Sequence, residues 1–590
     1  MRKALLALAI ALFVWGGVVA LTGGVDTRIL GIPLKSRDPL RVFAAGAGCV
    51  LLFALFFWGD FVRLVARGVD LVRARAAIVA IAAAAALAAY GVVFGTFSVG
   101  GSDAYGYVNQ AYDWKEGVLP GPIALRTTLP FEAPERLQAP LGYREGREPQ
   151  TIVPTYAPGL PLIMALSLAA GPRGPFLIAP ACAGLLVWFT FALGRRTAGA
   201  LTGLAAAVIV GVTPVVLHQT VWPMSDVPAA AVWTGATLLA IGSRRRDAFS
   251  AGLAAAIGVA IRPNLAPAVL AFVPAVVWNG PLRERVIRLG AFVAPIVPVA
   301  VFVGWLNTRW FGSPLNSGYG SAGEIYQWSN VLPNLKLYGS WMWESQTPSI
   351  LLACVLLVPR LRRGMNTKAV LSAALLLIAV TACYVSYAQF EVWWYLRFLL
   401  PAFGALAVLV AAGLIAVARA LPRPLGAVSA GIALLLVAVQ CLTFADRHDT
   451  FTIRDSERRY AIVGAFAAGL PADAALLAIQ HSGSLRFLTG RMVVRFDWLP
   501  YPRSLELVQV LDRSGRHPFL VVDDAEISDV RRWLGVPVGE TPPWPVRARM
   551  RELGGVTVYD LGATAAPDIP VALEPATVSC CEAPRRAAQR

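Results

Sequence analysis

The chain has 590 residues, of which 57% are hydrophobic and 15% charged. A soluble globular protein does not carry that balance, so the composition implies a polytopic α-helical membrane protein. The net charge of +17 lies mostly in short basic clusters between apolar runs, where it reports topology, and no nucleic-acid partner is expected.

The first apolar run, residues 4–21 behind Arg2 and Lys3, reads either as a signal peptide or as an uncleaved helix, and the uncleaved helix is the preferred reading. Runs at 42–62 and 76–97 follow. Arg63, Arg67, Arg73 and Arg75 lie between them, which predicts a cytoplasmic link, an inside N-terminus and an exit to the outside near residue 98. The same rule predicts helices over 174–194, 227–241, 265–278, 349–358 and 398–418, each leading to a basic cluster. Returns are predicted over 198–212, 251–261, 289–306, 369–388 and 426–444. The count is about thirteen spans, at roughly 20 residues per full crossing. Residues 159–170 are too short to cross and are followed by GPRGP, so they read as an interfacial helix.

Three outward loops are long or chemically marked: 98–158, 213–227 and 307–347. The first opens with GGSDAYGYVNQAYDW at 100–114. Asp103 stands just beyond the hydrocarbon, and Tyr105, Tyr107, Tyr112 and Trp114 around it suit the headgroup level. The plain alternative is that Asp103 or Ser102 caps a helix starting at Ala104. Further along the loop, Arg126, Arg136, Arg144 and Arg147 alternate with Glu132, Glu135, Glu145 and Glu148, a pattern that also describes a solvated charged face. A mostly unpatterned loop of this length is unusual unless it is functional. Five cysteines (Cys49, Cys182, Cys354, Cys383, Cys441) fall in apolar stretches, and no metal-ligand spacing occurs.

Six segments together resemble the GT-C superfamily of polytopic glycosyltransferases, in particular its bacterial protein O-mannosyltransferase-like and aminoarabinose-transferase-like branch. They are SDAYGYVNQA (102–111), TYAPGLPLIMAL (155–166), TVWPMSDVPAA (220–230), IRPN (261–264), RWFGSPLNSGYG (309–320) and YLRFLLPAFGAL (395–406). The resemblance covers about 76–444, so the helices at 4–21 and 42–62 are additional. Asp103 is followed by Ala104, where many relatives have a second acid, and this departs from a paired-carboxylate metal site.

The resemblance implies transfer of a sugar from a polyprenyl-phosphate donor to an extracytoplasmic acceptor that is a lipid, a polysaccharide or a protein. Asp103 is then the candidate general base. Arg262 and Arg397, at predicted outer helix ends, are candidates to hold the donor phosphate. Asp226 of the second acidic motif, with Tyr105, Tyr156, His218 and Tyr319, lies near the implied pocket. Each has a structural alternative: Arg262 snorkelling from a helix end, Arg397 pairing with Glu391 or stacking on Trp393 or Trp394, Asp226 capping the helix from Val227, and His218 standing in a loop. No cofactor is assigned. A divalent cation is compatible with the chemistry, although the acids are too dispersed in sequence to define a coordination sphere.

Beyond residue 446 apolar runs shorten. Strands are predicted over 474–480, 492–496 and 519–522, and helices over 505–512 and 527–534. The chain therefore divides into two added helices (1–70), a transmembrane core (71–445), an extracytoplasmic α/β domain (446–562) and a disordered tail (563–590). HSGSLRFLTGR at 481–491 is similar to segments that follow the membrane core in bacterial relatives; without a nucleophile elbow His481 and Ser482 read as loop residues. The expected setting is the plasma membrane, with site and C-terminal domain outside. A transporter or lipid-linked-glycan flippase would instead show repeated halves and ionisable groups in mid-helix. A noncatalytic scaffold would tolerate loss of Asp103.

Overall fold

A computed structural model describes all residues except 1, 30–31, 37, 126, 553, 564–569, 575–585 and 587–590. Among the described residues, eight helices are long and apolar enough to cross a membrane, or nine if the bent pair Ala200–Val212 and Pro214–Thr220 is one span. The chain is a multi-pass membrane protein. The four other positions among the expected thirteen do hold helices, but shorter ones: Asp226–Ala240, Arg245–Ile261, Pro263–Val276 and Pro348–Leu357. Proline accounts for two of these. Pro263 and Pro348 open 3-10 segments, where a missing N–H is tolerated, and Pro267 inside the first of them denies the backbone an α-helical bond.

The chain divides into two compact units. The first comprises residues 1–76 and 417–433. In it the helices Arg2–Thr22 and Pro39–Phe56 are joined by an antiparallel hairpin, Val25–Ile29 with Ile32–Ser36, which the composition does not signal. The basic link of the sequence reading is itself a helix, Trp58–Ala74. Its Asp60 holds Arg2 and Arg63, each at 2.6 Å.

The second unit comprises residues 77–416 and 434–590. Here the first long loop is more ordered than predicted. It contains the helix Asp103–Lys115, the short helix Pro134–Gln138 and a three-stranded sheet with Thr151–Pro154 between Ile123–Ala124 and Tyr143–Glu145. Helix Asp103–Lys115 is buried from Ala104 to Ala111. Tyr105 and Tyr107 therefore face protein, not lipid headgroups, and their hydroxyls are placed for partners within the fold.

The C-terminal region is α/β, as expected, with a six-stranded sheet in the order Val571–Ala572, Val546–Met550, Val556–Asp560, His517–Asp523, Ala474–Leu477, Met492–Val494. Strand alternation sorts its core. Leu520 and Val522 face Leu507, Leu511, Val530 and Leu534 on one side, whereas Phe519 and Val521 face Ile462, Val463 and Leu485 on the other. Leu129 and Leu137 of the first loop join the former layer, so loop and domain share one core. His481 and Ser482 are not in a loop: Ser482 begins the helix Ser482–Thr489, with His481 at its N-cap. Within the expected tail, Val571 and Ala572 pair in parallel with Ala548 and Arg549, and Arg586 lies 2.8 Å from buried Asp113. Residues 564–569, 575–585 and 587–590 of the tail, and Arg126, fall outside the described residues.

Candidate active site

Local sequence rules bring four charged residues to one place. The helix ending at Ile261 stops there because the residue before a proline is driven out of the α region, and Arg262 sits extended at φ −139°, ψ 85° ahead of Pro263. Asp226 opens the helix Asp226–Ala240 and Asp103 opens Asp103–Lys115; in each case the preceding serine is the N-cap residue and makes no side-chain cap bond. Neither acid is spent on capping. Arg397 comes from the 3-10 segment Trp393–Ala402.

The four form two linked ion pairs. Arg262 Nη2 donates to Asp226 Oδ1 at 2.5 Å, and Arg397 Nη1 donates to Asp103 Oδ2 at 2.7 Å. The same Arg397 nitrogen lies 3.9 Å from Asp226 Oδ2, which joins the pairs. Asp226 is 1% exposed and Arg262 9%, so Arg262 is an internal cation and does not snorkel. Arg397 pairs with neither Glu391 nor the two tryptophans; its guanidinium stands 5.1 Å from the Tyr395 ring and 5.8 Å from that of Phe398. Its Nε is buried with no hydrogen-bond partner among the described residues, a donor left over in an otherwise satisfied cluster.

Tyrosines and serines complete the shell. Tyr156 donates to Asp103 Oδ1 at 2.5 Å and shares a 2.7 Å hydrogen bond with Ser102 Oγ. Gly106 permits this, since a Cβ there would overlap the Tyr156 ring. Tyr107 donates to Ser225 Oγ at 2.8 Å, and Ser225 Oγ in turn accepts from Arg262 Nε at 3.2 Å. Arg262 Nη1 also reaches Tyr384 Oη at 3.3 Å. Burial works against the Asp103 carboxylate, but Arg397, Tyr156 and Arg262 outweigh it and hold its pKa below the ordinary value. Burial pushes the Tyr156 phenol well up, so Tyr156 remains the donor in that contact.

The other expected residues are spread around this cluster. Tyr319 is half exposed, with its ring 6.0 Å from that of Tyr156. His218 is in the helix Pro214–Thr220, not in a loop; it is buried, and its ring stacks on Trp394 at 5.6 Å and 7°. Tyr105 is turned towards Tyr143, at 5.7 Å between ring centroids, and towards Gly483 of the C-terminal domain. The partners of Tyr107, Ser225 and Tyr384 carry no signal in the sequence, because they are 37 to 122 residues away. Arg144 is only partly a solvated residue: its Nη1 donates to Gly318 O at 2.9 Å and ties the first loop to the third. Among the described residues no three His, Cys, Asp or Glu converge as a metal site, and both acids of the cluster already have guanidinium partners.

No protein-family model matches the chain. No curated protein matches it either. Among solved structures it is similar to ArnT from Cupriavidus metallidurans bound to undecaprenyl phosphate, at 14% identity and a TM-score of 0.49, over 83% of this chain and 99% of that one. It is similar to the Archaeoglobus fulgidus oligosaccharyltransferase in its apo form, at 13% identity and a TM-score of 0.46, over 84% of this chain and 75% of that one. A third is the mycobacterial arabinofuranosyltransferase AftD, at 15% identity and a TM-score of 0.49, over 83% of this chain and 42% of that one. At these identities and TM-scores the chemistry has to be taken from the side chains in place.

Proposed function

We propose that the protein is a GT-C-type glycosyltransferase that moves a sugar from a polyprenyl-phosphate donor to an acceptor hydroxyl outside the cytoplasm. The observation that carries this reading is Arg397: one part-buried guanidinium bridges Asp103 and Asp226 and keeps an unpartnered, buried N–H at Nε. Such a group can take an incoming phosphate while each acid keeps a hydrogen-bond donor, because Asp226 retains Arg262 and Asp103 retains Tyr156.

In the resting site Asp103 is a weak base, held ionised by its arginine. Donor phosphate competes for Arg397; as the guanidinium turns to it, Asp103 loses its strongest cationic partner and gains proton affinity. The acceptor oxygen then attacks the anomeric carbon. The new C–O bond forms as the bond to the phosphate oxygen breaks, the acceptor proton passes to Asp103, and the lipid phosphate leaves with the electron pair. Arg397 and Arg262 stabilise the charge that develops on it. A general base contributes about 10²- to 10⁴-fold in such a step, and guanidiniums fixed in advance lower the barrier further because they need not reorganise. Purified protein incubated with polyprenyl-phosphate sugars and analysed by mass spectrometry should release free polyprenyl phosphate in an acceptor-dependent manner. Absence of release with hexose, pentose and aminopentose donors alike would contradict the reading.

A further inference from the structure

The C-terminal domain meets the first loop at the two residues that lead into Asp103. Helix Ile453–Ala468 brings Glu457, Arg459 and Tyr460, the turn after strand Ala474–Leu477 brings Gln480 and His481, and strand His517–Asp523 ends on Asp523 with Glu526 close behind. His481 is fully buried. Its Nε2 lies 2.8 Å from Asp523 Oδ1, and its ring stands 4.6 Å from that of Tyr460. Arg459 donates to Tyr460 Oη at 3.3 Å and stands 3.7 Å from Asp523 and 3.9 Å from Glu457. Glu526 accepts from the backbone of Gln480 at 2.7 Å and of Asp523 at 3.2 Å.

This network presses on a backbone without side chains. A Cβ on Gly100 would overlap the Tyr460 ring and stand 2.7 Å from Glu457 Oε2, and Gly101, at φ +60°, faces Gln480 Oε1. Asp103 follows two residues later. From the other side Gly483 closes on Tyr105, and Ser482 Oγ accepts from Leu141 N at 3.1 Å. The helix start that carries Asp103 is thus held on two flanks by one domain. A domain that served only as a cover would need neither the glycine pair nor a fully buried His–Asp contact at this point.

We infer that the C-terminal domain is a positioning device for Asp103, in which Tyr460, backed by His481 and Arg459, fixes the turn at Gly100 and Gly101 and with it the carboxylate's place against Arg397 and Tyr156. The inference rests on the proposed reading of Asp103. The two are separated by a readout that needs no activity: hydrogen exchange of the amides of residues 98–105 in the full-length protein.

In Tyr460→Ala those amides should exchange faster while those of Asp226–Ala240 keep their wild-type rate. Sugar transfer should then fall by about 100-fold in kcat, since displacing a reacting group by about 1 Å costs that much. KM for the donor should stay within about twofold, the sign that only transition-state geometry has been lost. Tyr460→Phe keeps the ring against Gly100 and should recover most of the rate, and Gly100→Ala, which approaches the same contact from the first loop and changes no residue of the C-terminal domain, should reproduce the loss. Unchanged exchange at 98–105 in both Tyr460→Ala and Gly100→Ala overturns the inference, as does a raised KM with unchanged kcat. Faster exchange in a wild-type background that transfers no sugar would leave the clamp standing and remove the proposed function instead.

Discussion

Two charge clusters, each part buried, lie close to Gly100 and Gly101, and they are built differently. In the cluster of Asp103, Asp226, Arg262 and Arg397 two acids meet two arginines, and each carboxylate has a guanidinium of its own within 2.7 Å. In the C-terminal cluster Arg459 stands between Glu457 and Asp523, His481 meets Asp523, Glu526 meets only backbone, and Glu457 Oε2, Arg459 Nε and His481 Nδ1 have no hydrogen-bond partner among the described residues. The first is balanced, so an arriving phosphate makes it more negative and raises the proton affinity of Asp103. The second is acid-rich and holds backbone, through Glu526 to Gln480 and Asp523. A cluster that must release a partner keeps its charges matched; one that only holds can leave a carboxyl neutral.

The sharpest way to break this contrast is to strand a charge in the balanced cluster. Asp226→Asn leaves Arg262 buried with no carboxylate, and the expected cost is about 3–5 kcal/mol, read as a collapse of the melting transition in detergent. The double variant Asp226→Asn with Arg262→Gln should recover a large part of it. Equal melting of all three proteins would mean that the pair is not buried as described.

Arg397→Lys keeps the charge but loses the planar fork and the spare Nε donor. Removing one donor to a developing anion costs about 10²-fold or more in kcat, and a drop of that order is expected in steady-state transfer. A variant as fast as the wild type would contradict the bridging role of the guanidinium.

A smaller effect separates the clusters by pH. Burial and the charge on Asp523 push the Glu457 carboxyl up to about 7, against the pull of Arg459. Its pKa is thus raised on folding. The folded state binds the extra proton between the ordinary glutamate value and about 7, so this stabilisation is complete in acid and is lost as pH rises through that window. Glu457→Gln should flatten the fall in melting temperature between pH 5 and pH 8. An unchanged slope would contradict a neutral Glu457. Least affected should be Arg245→Ala, whose pairing with Glu284 at 2.5 Å is exposed: no measurable shift in melting is expected, and a clear one would mean that this face is covered.

How much of this was legible in the chain differs by residue. Asp103, Asp226, Arg262 and Arg397 stand out because each is a charge at the edge of an apolar run. Their pairing does not, since Arg397 and Asp103 are 294 residues apart. Among the described residues, the eight helices long enough to cross a membrane follow from hydropathy alone. The 3-10 segments at Pro263–Phe272, Pro348–Leu357 and Trp393–Ala402 do not, because an apolar run looks the same at three residues per turn as at 3.6. The aromatic residues after Asp103 have the composition of an interface belt, yet Tyr105 and Tyr107 are buried: composition cannot tell headgroups from a covering domain. In the C-terminal sheet, strand Val546–Met550 carries a period-two pattern, but its inward residues Ala548 and Met550 alternate with Arg547 and Arg549 and read as polar chain.

Turnover by Asp103→Asn tests the central claim most directly. Purified wild-type and variant proteins would be given the same polyprenyl-phosphate sugar, with donor binding measured in parallel. The account predicts that the variant still binds donor while kcat falls by about 10²- to 10⁴-fold. A variant that transfers sugar at the wild-type rate would contradict it, and Asp103 would have no part in the reaction.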